Sequence, residues 1–222
     1  MKILQAIEAD FEESISRSSD EAKEIRMDNF NEFKKLGIPT SKQEFWKFTN
    51  PSIIKDSEFT LGPSEDYDDK KYDIIVVNGK LTKKNDDIKI NNIHESLAEK
   101  EISNEIFGIT NNPFINLNNA FSTEGCALSF KDNVEKEISI LNVIDNTTSK
   151  QITHPRIIIN VGKNSNISIL EKIRFLGNKE NLVNSVTNFS LDEGSKVEHI
   201  LIDDYSENTY QISNVLVKQK RD

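Results

Sequence analysis

Apolar positions near the start of the chain recur every fourth residue. Ile3, Ile7, Phe11 and Ile15 stack on one stripe while Glu8, Asp10, Glu12 and Glu13 fall mostly off it, which predicts an amphipathic helix. Ser18, Ser19 and Asp20 offer capping oxygens for a second helix carrying Ala22, Ile25, Phe33 and Leu36, with Gly37 and Pro39 as its stop. Two antiparallel helices are the simplest outcome. Asn50-Pro51 predicts a short helical turn through Ile53 and Ile54. The stretch 56–73 is dense in carboxylates and reads as a solvated acidic linker. Tyr72 to Val77, the Asn78-Gly79 turn and Lys80-Leu81 predict a β-hairpin over 72–83. Ile88, Ile90 and Ile93 suggest one more strand, and Leu97, Ile102 and Ile106 fall at weak helical spacing. Asn112-Pro113 opens a further helix with Phe114, Leu117 and Phe121 on one face and Gly125 as its close.

After Gly125 the period changes. Short runs rich in Ile, Val and Leu alternate with Asn, Asp, Gly and Ser, which predicts an almost entirely β second half. Within it, Asn160 to Ile167 aligns with Ser190 to Val197 at an offset of thirty, setting Val161 over Leu191, Ile167 over Val197 and Leu170 over Ile200. A repeat of that length predicts a solenoid with aliphatic rungs and Asn-rich corners; a β-sandwich of repeated hairpins is the alternative. The expectation is an α+β chain: residues 1–111 as an N-terminal helical domain with the linker and hairpin, and 112–222 as an incomplete β-helix. Strand-like Tyr210, Ile212, Val215 and Val217 lie close to Asp222 without a capping element. The coil end is therefore expected to be truncated and open, and to seek a strand partner, in the isolated chain a second copy.

Composition narrows the function. Lys and Arg number 28 against 37 Asp and Glu, a net charge of −9, so nucleic acid is not an expected partner. The longest aliphatic run is Ile74 to Val77, far short of the roughly 20 residues of a membrane helix, and no membrane partner is expected. Without a secretory signal at the N-terminus and with Cys126 as the single cysteine, the reading is a soluble protein of the cytoplasm.

No reactive cluster emerges. His94, His154 and His199 are isolated in sequence and read as structural, His199 facing inward over Ile169. Cys126 reads as a small buried hydrophobe. Acids stacked on successive coils would signal a carbohydrate-active β-helix, but the offset sets Glu171 against Leu201, Glu198 against Ser168 and Asp203 against Ile173. Glu193 falls over Lys163 as a surface ion pair. Phosphate-loop motifs and a hexapeptide period are missing. Trp46 reads as the anchor of the helical core.

Three segments, in order, resemble the SufB/SufD family of the SUF iron–sulfur assembly machinery. Gly37-Ile38-Pro39-Thr40 through Glu44-Phe45-Trp46-Lys47-Phe48-Thr49 is similar to the SufD-type N-terminal signature, with Phe48 where Tyr is common. Leu117-Asn118-Asn119-Ala120-Phe121 with Gly125 resembles the opening of the shared core, with Asn116 where Ala is common. His154-Pro155-Arg156 followed by Ile157 to Glu171 resembles its continuation. The resemblance implies a right-handed parallel β-helix after a helical domain, and a scaffold that pairs with a SufB-like subunit and docks a SufC-like ATPase. It also implies chains about twice this length whose docking helices and functional His and Cys lie beyond Asp222. No catalytic, cofactor-binding or metal-ligating residue is therefore expected here, and no cofactor resident in this chain. The alternative from another class is a polysaccharide-active β-helix enzyme.

Overall fold

The computed structural model describes residues 2–16, 18–62, 66–85, 88–93, 106–122, 125–204 and 206–221. His94, Leu97 and Ile102 lie outside the described residues. Helix α1 (Lys2–Ile15) buries Ile3, Ile7 and Phe11 of the predicted stripe, with Ile15 only partly buried at its end. Helix α2 (Asp20–Leu36) starts where the Ser19 hydroxyl accepts the Ala22 N–H and stops where Gly37, at φ +67°, returns its N–H to the Phe33 carbonyl. A 3-10 turn at Pro51–Asp56 is capped by Asn50. Helix α3 (Pro113–Phe121), capped by Asn112, is buried on every side, as expected of a helix held between other elements.

The strands are β1 (Thr60–Leu61), β2 (Ile74–Val77), β3 (Lys80–Lys83), β4 (Ile90–Asn92), β5 (Cys126–Phe130), β6 (Glu135–Ile144), β7 (Gln151–Thr153), β8 (Arg156–Val161), β9 (Asn166–Phe175), β10 (Asn181–Leu191), β11 (Lys196–Asp203) and β12 (Thr209–Gln219). They wind into a β-solenoid of about three turns. One sheet runs β1-β7-β10-β8-β5-β4 with β12 on β10, and the other runs β11-β9-β6-β2-β3. Pairing between coils is parallel, which excludes the hairpin sandwich. The register pairs Val161 with Leu191, Ile167 with Val197 and Leu170 with Ile200, as the thirty-residue repeat requires.

The corners follow from backbone chemistry. Asn133, Asn164 and Gly194 have positive φ at equivalent points of three successive coils. Asparagine tolerates this conformation better than other residues with a Cβ. The Asn133 N–H donates to the Lys163 carbonyl at 2.8 Å and that of Asn164 to the Glu193 carbonyl at 3.0 Å, so each corner is tied to the next. Inside, Ile138, Ile140, Ile157, Ile159, Ile167, Ile169 and their neighbours form a continuous aliphatic column.

Two segments differ from the sequence reading. The hairpin at 72–83 forms as read, β2 antiparallel to β3, but it joins the solenoid rather than the N-terminal helices: β2 pairs in parallel with β6, from Ile74 on Ile140 to Val77 on Val143, and extends the second sheet. The acidic stretch 56–73 is not a solvated tether. Phe59 is fully buried, β1 pairs with β7, the Arg174 guanidinium donates to Tyr67 Oη at 2.8 Å and to Asp69 at 3.2 Å, and Tyr72 packs against the outer face of the second sheet. The carboxylate count conceals three aromatics, Phe59, Tyr67 and Tyr72, which give the strap an apolar side.

Candidate functional site

Two polar assemblies interrupt the apolar interior. The first brings the sequence signatures together. Arg156 at the start of β8 is fully buried; its Nη1 donates to Asn118 Oδ1 at 3.0 Å and Asn119 Oδ1 at 2.6 Å, and its Nη2 donates to the Ile106 carbonyl at 2.9 Å. The guanidinium lies 4.7 Å over the Phe107 ring, and burial lowers its pKa to about 9. Asn118 Nδ2 donates to the carbonyls of Pro155 and Asn184, and Asn184 Nδ2 donates to that of Phe114. His154 stacks on Phe121 at 4.8 Å. Its Nδ1 lies 3.2 Å from Asn184 Nδ2, an amide nitrogen that only donates, so Nδ1 accepts and the neutral ring carries its proton on Nε2. Burial pushes the His154 pKa down to about 3. A second buried cation, Arg26 of α2, donates to the Ala120 carbonyl at 2.6 Å, to Ser14 Oγ at 2.7 Å and to Ser18 Oγ. These contacts lock α3 between α2 and the flank of the solenoid. They hold no group poised to react.

The second assembly climbs the solenoid interior. Asn142 of β6 donates to Glu171 Oε1 of β9 at 2.5 Å, and Glu171 Oε2 lies 2.8 Å from His199 Nε2 of β11. Side-chain exposure is only 6% at Glu171 and 14% at His199, so the carboxylate is satisfied from inside the fold. Opposite them Cys126 is wholly buried, and burial, with a contribution from the Glu171 charge, pushes its thiol up to about 12. A buried thiol in that state is a poor nucleophile at neutral pH. Among the described residues, no group of three or more His, Cys, Asp or Glu is placed to hold a metal ion.

His199 faces inward opposite Ile169, as read from the repeat. The tested acids pair with Leu201, Ser168 and Ile173 and form no acidic row, while Lys163 and Glu193 make the foreseen ion pair at 3.0 Å. The Glu171–His199 contact escaped because it is diagonal. Partners lie one coil minus two residues apart, so an alignment at thirty sets each beside an aliphatic. A search of the same face at offsets of 28 and 29 would have found it. Trp46 is only partly buried, 5.4 Å from Phe114 at the margin of the helical core, while Phe45 and Phe48 beside it are almost fully exposed.

A solenoid of this register, its flank sealed by an Asn-rich helix through a His-Pro-Arg turn, defines a structural class, and residues 143–222 match the family model described as SUF system FeS cluster assembly, SufBD core domain. The chain is SufD-like. It is 28% identical over 182 residues to the iron–sulfur cluster assembly protein SufD of Plasmodium berghei (strain Anka), covering 82% of this chain and 11% of that protein. It is 34% identical over 90 residues to the protein of the same name from Plasmodium falciparum (isolate 3D7), covering 40% of this chain and 6% of that protein. The curated relatives it matches are thus far longer than the twofold length expected from the sequence. No helix among the described residues is long and apolar enough to cross a membrane.

Proposed function

We propose that this chain acts in SUF-type iron–sulfur cluster assembly as a non-catalytic scaffold of the cytoplasm, held in a complex with a SufB-like subunit and a SufC-like ATPase. The observation that carries the reading is the match of the last coils, residues 143–222, to the SufBD core. The two polar assemblies support the non-catalytic part. One ties a helix to the solenoid, and the other gives a buried carboxylate its hydrogen-bond partners within the rungs. Iron and sulfur are cargo in this scheme. A chain without a resident cluster fits its cysteine content, since Cys126 is the one cysteine in the sequence and one thiolate cannot hold a cluster by itself.

The test is co-expression of the full chain with SufB- and SufC-type proteins under reducing conditions, followed by affinity purification and iron and sulfide analysis. Stable co-purification, with cluster content dependent on the complex, is expected. Clean failure to associate, or turnover of an acidic polysaccharide by the purified chain, overturns the reading.

A further inference from the structure

We propose that the outer face of the second sheet is a docking surface for a cationic amphipathic helix of a partner protein. Along β6, β9 and β11, side chains alternate between the column and the exterior. The exterior row Ser139, Leu170 and Ile200 runs straight across three strands in register, and Ile202 follows Ile200 on the same face. Leu170 is 40% exposed, Ile200 50% and Ile202 43%. The exposure of Leu170 decides the matter, since β9 is paired on both edges, to β6 and β11. Its side chain is open because the face is open. Neighbouring strands are about 4.8 Å apart and alternate residues on a strand about 6.6 Å, close to the about 6 Å between i and i+4 side chains of a helix. A helix laid on this face can thus set successive apolar residues against Leu170, Ile200 and Ile202.

The rim selects the charge of that helix. Asp73, Glu137 and Glu198 line the groove beside Leu170 and Ile200. Asp73 stays ionised: burial opposes its charge, but the Ser139 N–H, the Asn85 amide and the Ser139 hydroxyl bond to it and hold its pKa below the usual carboxylate range. Of the cations near this face, Lys172 is already paired with Asp204 at 2.9 Å, and Lys136 attracts Asp73 more weakly than its hydrogen bonds hold it. A second copy is a poor occupant, since a twofold contact would bring the same carboxylates against each other in a chain of net charge −9. An anionic membrane is repelled for the same reason. A helix with leucines on one side and lysines flanking them satisfies both the stripe and the rim.

The probe is a labelled 18-residue peptide with Leu at i, i+3, i+4 and i+7 and Lys elsewhere. Its counterpart has Glu in place of Lys, and binding to the full chain is followed by fluorescence anisotropy at near-physiological salt. The Lys peptide is expected to bind and the Glu peptide not. Leu170→Ser should weaken binding about tenfold, the scale of one buried leucine. The pair Glu137→Lys and Glu198→Lys should weaken it at least as much. Glu12→Lys with Glu24→Lys, equal in charge but on α1 and α2, should leave it unchanged. Circular dichroism checks that the variants fold. The proposal is overturned by absence of binding, by equal binding of both peptides, by equal loss in the helix-face control, or by binding indifferent to both sheet-face variants. It is also overturned if light scattering shows that Leu170→Ser dissolves a dimer while peptide binding stays intact.

Discussion

At the residue scale, three buried polar side chains carry chemistry the fold suppresses. Cys126 is sealed on the inner side of β5 with its pKa raised to about 12, so its thiol should resist iodoacetamide at pH 8 in the native chain and react once urea unfolds it; labelling followed by mass spectrometry reads this directly. His154 behaves in the opposite sense to a salt-bridged histidine. Its folded value, about 3, is below the unfolded value of about 6.5, so the unfolded chain takes the proton first as pH falls. Its contribution is intact above about pH 6.5 and is lost toward pH 3, by up to about 1.4 kcal/mol per unit. Urea midpoints between pH 7.5 and 4 should fall less steeply for His154→Gln than for the unaltered chain, and parallel slopes would show that the ring is not neutral in the fold. Arg156 has no carboxylate partner among the described residues, and its stability comes from geometry: a fork on Asn118, Asn119 and a carbonyl. Arg156→Met strands the buried Asn119 Oδ1 and the Ile106 carbonyl and leaves Asn118 Oδ1 with the Ser122 hydroxyl alone, and should cost about 3 kcal/mol in urea denaturation. Arg156→Lys should recover only part of that, because one ammonium cannot span the fork.

At the scale of elements, the solenoid repeats diagonally as well as straight across. Asn142, Glu171 and His199 lie on β6, β9 and β11, each contact stepping back two residues per coil. If they act as one unit, Glu171→Leu and His199→Leu should not be additive. Each single change leaves a buried polar group without its partner, while the double change replaces both with apolar bulk. A double-mutant cycle should show a coupling of about 1 to 3 kcal/mol, and independent losses would mean that the contact is incidental. This is also where the sequence was hardest to read. The repeat, the corner asparagines and the caps of α2 and α3 were legible because each depends on residues at a fixed local offset: Ser19 with Ala22, Asn112 with Phe114, Val161 with Leu191. The buried strap was not, since Phe59 and Tyr67 are single aromatics in a run of carboxylates. Nor was the joint of α3, whose signature residues were recognised as a pattern, although their meeting through Asn118 and Arg156 is set only by the fold.

At the scale of the whole molecule, the two sheets treat their edges unequally. One flank is covered: β3 closes the second sheet beyond β2, and β4 lies antiparallel on β5. On the other flank, β11 pairs only with β9 and β12 only with β10 among the described strands. The inward positions there, Leu201, Val215 and Val217, are 40%, 51% and 59% exposed, where their counterparts one coil earlier are sealed. Unpaired backbone beside open aliphatic side chains is the combination that recruits another strand. The 222-residue chain alone should therefore self-associate through β11 and β12, giving a light-scattering mass that rises with concentration. Val215→Lys with Val217→Lys should hold it monomeric, since each lysine would have to bring a charge into the contact. A mass that stays monomeric across a wide concentration range would mean that these edges are protected in solution.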